Sequence, residues 1–219
     1  FFYSSSKSFF NGRDQVTLQR QYAGADSSST FQDTTATYDG YGRLKTNHRP
    51  EQNTGTATTY NYFNDDRIQQ IVDARGAAVN YTYDNRGLTT QVSTTSPNTS
   101  TIPVTPTVSY SYDNLGNRTS MTDGLGTQTY EYNQLSQLMA ETRSFNDSLP
   151  NAPMANNSFR LEYSYSISGQ LKSITDAYGQ QINYTQDKIG RLNQVTGSIA
   201  FGGVTSYANN PNYRAWGAI

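Results

Sequence analysis

A pair of tyrosines separated by one residue recurs along this chain, at Tyr60/Tyr62, Tyr81/Tyr83, Tyr110/Tyr112, Tyr130/Tyr132 and Tyr163/Tyr165. Degenerate copies stand at Ala36/Tyr38 and Tyr184/Gln186. The second positions, 38, 62, 83, 112, 132, 165 and 186, are spaced by 24, 21, 29, 20, 33 and 21 residues. A unit of 20 or 21 residues accounts for the short spacings. Insertions account for the long ones: Ser93 to Thr107, with Pro97, Pro103 and Pro106, and Ser144 to Ser158, with Pro150 and Pro153. Such a period marks a repeat architecture, in which each unit is too small to bury a face alone and stacks on its neighbours.

Aligned on the second tyrosine, the seven copies share more than rings. Asp39, Asp84, Asp113 and Asp187 follow it, replaced by Phe63, Asn133 and Ser166 elsewhere. Three residues on comes Gly42, Gly87, Gly116, Gly169 or Gly190, with Asp66 and Ser136 as departures. Then come Arg43-Leu44, Arg67-Ile68, Gln137-Leu138, Gln170-Leu171 or Arg191-Leu192, with Leu88 at the arginine position of the third copy. Three further on stands Ile71, Val92, Met121, Ile174 or Val195, and a second Asp-x-x-Gly appears at Asp73/Gly76, Asp123/Gly126 and Asp176/Gly179.

Tyr-x-Tyr has period two, so both rings point to one face of a strand. Asp-x-x-Gly is a turn signature, in which the carboxylate caps turn amides and glycine takes the positive φ of a bulged hairpin. Closing that turn predicts Tyr38 beside Arg43 and Tyr62 beside Arg67, each guanidinium lying on its own hairpin's ring. The second Asp-x-x-Gly turns the chain back toward the next Tyr-x-Tyr. One unit is two strands and two turns, and seven units give about 14 strands. The expected fold class is all-β: an antiparallel meander of hairpins whose sheet curls, because sheets beyond about ten strands do not stay open and flat. No segment carries a sustained 3.6-residue apolar period, so no helical layer is expected.

Composition narrows the function classes. The 16 Lys and Arg balance 17 Asp and Glu, a net charge of −1. That leaves no basic field for nucleic acid and no polybasic membrane patch. Ser, Thr, Asn and Gln make up 87 of 219 residues, and 18 tyrosines supply much of the apolar surface. With no cysteine there is no disulfide framework, thiolate metal site or cysteine nucleophile. No apolar run is long enough to span a bilayer as a helix. Phe1-Phe2-Tyr3-Ser4 does not read as a signal peptide, and with Ala215-Trp216-Gly217-Ala218-Ile219 it suggests ends cut from something longer.

The signature Tyr-x-Tyr-Asp-x-x-Gly-Arg-Leu-x-x-Ile/Val resembles the YD repeat of the Rhs (rearrangement hotspot) family. It is written here as Tyr38-Asp39-Gly40-Tyr41-Gly42-Arg43-Leu44 and as Tyr112-Asp113-Asn114-Leu115-Gly116-Asn117-Arg118. The resemblance covers about three quarters of the chain. It divides the chain into lead-in strands over 1–35, which match weakly, a repeat sheet over 36–200 and the start of a further, truncated repeat over 201–219. It implies a β-shell. In bacterial members and insecticidal toxin complexes the repeat sheet winds into a hollow wall around a C-terminal toxic domain, and in the animal teneurins a related shell belongs to an adhesion receptor. By that resemblance the chain is a structural, non-enzymatic wall segment of a polymorphic-toxin-type protein, secreted or at the cell surface. Its partners are then the rest of the same polypeptide and an enclosed toxin or cargo domain, with no nucleic acid. Two alternatives stay open: an adhesion or carbohydrate-binding module using the tyrosine face, and an extracellular filament whose copies pair through open sheet edges.

No catalytic, cofactor-binding or metal residue is assigned from the sequence, and no cofactor is expected. His48 is the only histidine, beside Arg49-Pro50, and reads as a loop residue. The aspartates before glycine read as turn caps rather than as a glycosidase pair. Asn64-Asp65-Asp66 lacks the alternating ligands and distal glutamate of a calcium loop. The family's self-cleaving aspartate site has an Asp-Pro motif, which occurs nowhere in the chain. The tyrosines read as core residues of a thin wall with hydroxyls outward. Asn-x-Ser/Thr sequons at Asn80, Asn98, Asn117, Asn146, Asn156 and Asn183 are attributed to composition.

Overall fold

The computed structural model describes residues 4–24, 30–98, 104–146, 157–201, 204–209 and 211. Pro103, Pro150, Pro153, Asn156 and most of the C-terminal stretch lie outside them. The chain is all-β, with seventeen strands running as an antiparallel meander and no α-helix among the described residues. It divides into two compact units, Phe1–Val108 and Ser109–Ile219. The first holds β1 (Ser5–Phe10), β2 (Val16–Tyr22), β3 (Phe31–Tyr38), β4 (Leu44–His48), β5 (Thr58–Tyr62), β6 (Ile68–Val72), β7 (Ala78–Tyr83) and β8 (Thr89–Thr95). The second, which β9 (Val108–Tyr112) opens at the boundary, holds β10 (Arg118–Asp123), β11 (Gly126–Tyr132), β12 (Leu138–Phe145), β13 (Ser158–Tyr165), β14 (Leu171–Thr175), β15 (Gln181–Gln186), β16 (Leu192–Phe201) and β17 (Val204–Asn209).

Every Tyr-x-Tyr position falls at the C-terminal end of an odd-numbered strand, from Tyr38 in β3 to Gln186 in β15. The strands β3 to β16 number fourteen, as the repeat arithmetic requires. The first tyrosine pairs across the ladder with the shared apolar position: Tyr60 with Ile71, Tyr81 with Val92, Tyr110 with Met121, Tyr163 with Ile174 and Tyr184 with Val195. Alternation sends Thr, Ser, Asn and Gln to the other face. There Thr37 meets Thr46 at 2.6 Å, Ser164 meets Ser173 at 2.6 Å, and Asn61, Gln70 and Asn80 run as a side-chain chain.

The sheet has no core in the usual sense. Among the described residues only Tyr22, Ala78, Gly126, Ala140 and Ser173 are buried, and no large side chain is fully so. Stability must come from the ladders, the turns and the half-buried aromatic face.

Candidate functional site

The turn after each odd strand repeats one geometry. In the Asp39 turn the Gly42 N–H donates to the Asp39 carbonyl at 3.0 Å, and the Asp39 N–H donates to the Arg43 carbonyl at 2.9 Å. The Asp39 carboxylate accepts from the N–H groups of Tyr41 and Arg43. This is a type I turn closed by a left-handed bulge residue, with Gly42 at φ 86. Asp84, Asp113, Asn133 and Asp187 cap their turns in the same way. Asp66 and Ser136 stand at the glycine position with φ 67 and 58, so both departures adopt the strained conformation the turn demands. The second Asp-x-x-Gly motifs at Asp73 and Asp176 close likewise. Asp123 does not: it pairs directly with Gly126 as the last rung of the β10–β11 ladder, leaving a two-residue loop.

The bulge corrects the expected arginine–tyrosine pairing. It adds a residue, so Tyr38 lies opposite Leu44 and Tyr62 opposite Ile68, rather than opposite Arg43 and Arg67. Each guanidinium instead reaches forward to the next hairpin. Arg43 lies 4.6 Å from the Tyr62 ring centre and Arg67 lies 4.6 Å from that of Tyr83.

The second tyrosine's hydroxyl reaches the other way. Tyr38 donates to the Val16 carbonyl at 2.8 Å, Tyr62 to Leu44 at 2.8 Å, Tyr83 to Ile68 at 2.9 Å, Tyr132 to Arg118 at 3.1 Å and Tyr165 to Leu138 at 2.8 Å. The registers explain why. The β4–β5 ladder begins at Thr46↔Thr59 and the β6–β7 ladder at Gln70↔Asn80, two residues past Leu44 and Ile68. Near the turns the strands no longer exchange backbone bonds, and the hydroxyl supplies the missing donor. The degenerate copy keeps this role: Gln186 donates its Nε2 to the Leu171 carbonyl at 3.0 Å. The hydroxyls are therefore turned onto the backbone, not outward. Burial holds the hydroxyls of Tyr62, Tyr83 and Tyr132 above the ordinary tyrosine range.

In most copies the residue after the bulge completes a staple from one turn to the next. Gln15 donates to the Gly42 carbonyl at 2.6 Å, Gln137 to Gly169 at 3.3 Å, Gln170 to Gly190 at 2.9 Å, and Arg67 to Asp84 at 3.3 Å. Where the glycine is replaced, its substitute becomes the acceptor: Arg43 meets the Asp66 carboxylate at 2.7 Å and Asn117 meets the Ser136 hydroxyl at 3.1 Å. At Gly190 an added Cβ would stand 2.6 Å from Gln170 Nε2, so glycine serves both the turn's φ and the staple's approach. Leu88 has no group to donate.

The first turn of the chain, 11–14, belongs to the same pattern, although the sequence signature does not reveal it. Asn11 replaces Asp, Asp14 at φ 58 replaces Gly, and Gln15 is the staple. A turn residue followed by glycine at Asn11-Gly12, before the strand at Val16, was the available signal.

The remaining sequence candidates are accounted for by local partners. His48 ends β4 instead of lying in a loop, with Nδ1 against the Thr56 carbonyl. Asp65 and Asp66 take the guanidinium groups of Arg67 and Arg43. Among the described residues no group of three His, Cys, Asp or Glu could hold a metal ion. A depression between the turns at 11–14 and 39–42 is lined by Arg13, Gln15, Tyr38 and Asp39, all engaged in the bonds above or, for Arg13, with the Gly40 carbonyl. In the second unit Glu141 takes the apolar position of the repeat. It accepts from Tyr163 at 2.6 Å and Gln128 at 2.7 Å, and burial together with that carboxylate pushes the Tyr163 hydroxyl up to about 12. No described helix is long and apolar enough to cross a membrane.

No protein-family model and no characterised protein sequence matches the chain. Among solved structures, it is similar to the TcdB2–TccC3–Cdc42 crystal structure, with a TM-score of 0.61 and 16% identity over 96% of this chain. It is also similar to TcdB2–TccC3 without its hypervariable C-terminal region, with a TM-score of 0.59 and 17% identity over 96% of this chain. In both cases the likeness is one of fold, and this chain spans 12% of the other chain's length.

Proposed function

We propose that this chain is a stretch of wall in a YD-repeat shell of the Rhs kind, with a structural, non-enzymatic role in a larger secreted or surface-exposed toxin-type protein. The observation that carries the reading is the continuous use of side chains for holding one hairpin to the next. In copy after copy the tyrosine hydroxyl closes a backbone gap, and an arginine, glutamine or asparagine binds the following turn. A sheet without a buried core gains its rigidity from such links, and a wall is the use they suit. The likeness to TcdB2–TccC3, in which a similar fold forms a small part of a much longer chain, supports the same reading. On this account residues 36–200 are repeat wall, 1–35 lead into it and 201–219 begin another repeat. The rest of the same polypeptide and an enclosed toxin or cargo domain are the partners.

The carbohydrate-binding alternative needs free ring faces for stacking on sugars. Guanidinium groups over Tyr62, Tyr83 and Tyr130 weigh against it. The test is the intact mass of the polypeptide from its source, followed by protease treatment of the native form. A mass several times 24.3 kDa with a protected internal domain is expected. A native species of 24.3 kDa, or a longer one with no protected domain, would overturn the proposal.

A further inference from the structure

The hairpin tips at the end of the sheet where the tyrosines sit differ between the two units. In the first unit they carry Arg13, Tyr41, Asp65 and Arg86 within the turns at 11–14, 39–42, 63–66 and 84–87. In the second every tip carries an aliphatic residue, at the third turn position for Leu115, Leu135 and Ile189 and at the second for Ile167. Leu115 is 74% exposed, Leu135 76%, Ile167 107% and Ile189 74%. Turn positions take Asn, Asp, Ser and Gly because those side chains bond the turn backbone. These four do not, and nothing in the turn requires them. A single exposed aliphatic is ordinary, but a contiguous row is the mark of a contact surface.

We infer that this row is a self-association edge, through which two copies of the chain meet tip to tip about a two-fold axis. The hairpins β9–β10, β11–β12, β13–β14 and β15–β16 are consecutive in one ladder. Successive tips are therefore two strand spacings apart, about 9.6 Å, and the row is about 29 Å long. Tips of equal pitch face one another when the row is reversed. Leu115 of each copy then meets Ile189 of the other, and Leu135 meets Ile167. Eight aliphatic side chains at about 100 Å² each supply about 800 Å². With flanking tip atoms the contact reaches the roughly 1,000 Å² at which specific interfaces begin, so the dimer is weak and reversible.

Sedimentation velocity of the 219-residue chain from about 5 to about 500 µM covers the range expected for so small an interface. A concentration-dependent dimer is expected, with the double variant Leu135→Asp/Ile167→Asp weakening it at least about tenfold and Tyr41→Asp leaving it unchanged. The chain has no cysteine, so single cysteines report contacts directly. Leu135→Cys mixed with Ile167→Cys should form an interchain disulfide, and Leu135→Cys mixed with Tyr41→Cys should not. If the double aspartate variant fails to fold by circular dichroism, the disulfide experiment decides. A monomer over the whole range, a dimer indifferent to the aspartates, or equal cross-linking in both mixtures would overturn the inference.

Discussion

Replacing Tyr62 by Phe removes one oxygen atom and tests why the repeat uses tyrosine at its second position. That hydroxyl lies 2.8 Å from the Leu44 carbonyl, beyond the last backbone rung between β4 and β5. Removing it loses a hydrogen bond with a net value of about 1 kcal/mol. It also strands a carbonyl in a half-buried position, which places the cost at the low end of the roughly 1–3 kcal/mol for an unmet acceptor. Together these give a loss of about 1–1.5 kcal/mol for Tyr62→Phe. Over a cooperative unit the size of Phe1–Val108, that is a fall in melting temperature of about 5 °C. Urea denaturation followed by far-ultraviolet circular dichroism measures it, with Tyr41→Phe at an exposed tip as the control. Gln186 extends the test, because its amide fills the same role. Gln186→Tyr keeps a donor and should be tolerated, whereas the isosteric Gln186→Glu has none and should destabilise. A Tyr62→Phe variant as stable as the parent, or a Gln186→Glu variant no worse than Gln186→Tyr, would refute the reasoning.

Four further outcomes follow from the same geometry. A double-mutant cycle between Arg43→Met and Tyr62→Leu should show favourable coupling, and the cycle between Arg67→Met and Tyr62→Leu should show none, since Arg67 stacks on Tyr83. Asp14→Gly should raise stability by about 1 kcal/mol in thermal melts, because it relieves a non-glycine residue at φ 58. Gly126→Ala should cost about 3 kcal/mol, since its Cβ would lie 2.0 Å from the Ser144 carbonyl oxygen. The pH dependence should have two limbs. Asp33, Asp113, Asp123 and Asp187 are held below the usual carboxylate range by Arg20, Asn117, Arg143 and the Arg191 backbone N–H respectively. Their contribution is present above about pH 4 and is lost as pH falls below it toward their depressed values. Tyr163, pushed up to about 12, contributes fully below about pH 10 and loses that contribution as pH rises through 12. Urea midpoints across pH, with tyrosinate absorbance on the alkaline side, check both limbs.

The strands and turns were legible because their signals are local. Period two sets which residues share a face, and the Asp-x-x-Gly spacing sets where the chain reverses. What the sequence misled on was contact between repeats. The Arg43–Tyr62 stack joins residues whose proximity depends on the bulge at Gly42 and on which strand lies alongside, and neither is written in one hairpin's pattern. The turn at 11–14 is hidden in the sequence because Asn11 and Asp14 stand where the signature has Asp and Gly, though physically they do the same work. The outward-hydroxyl reading failed for a related reason: a carbonyl left without a rung, such as that of Leu44, can be seen only in the register. The aliphatic tips lie at positions the repeat leaves variable, so aligning what the copies share passes over them.

The central claim is that these hairpins form part of a closed wall in a longer protein, and imaging the native polypeptide by electron cryomicroscopy tests it most directly. The account predicts a hollow shell whose wall contains the Arg43–Tyr62–Leu44 staple, with density for a further domain inside. A native particle in which this sheet lies open to solvent on both faces, with no enclosing wall, would contradict it.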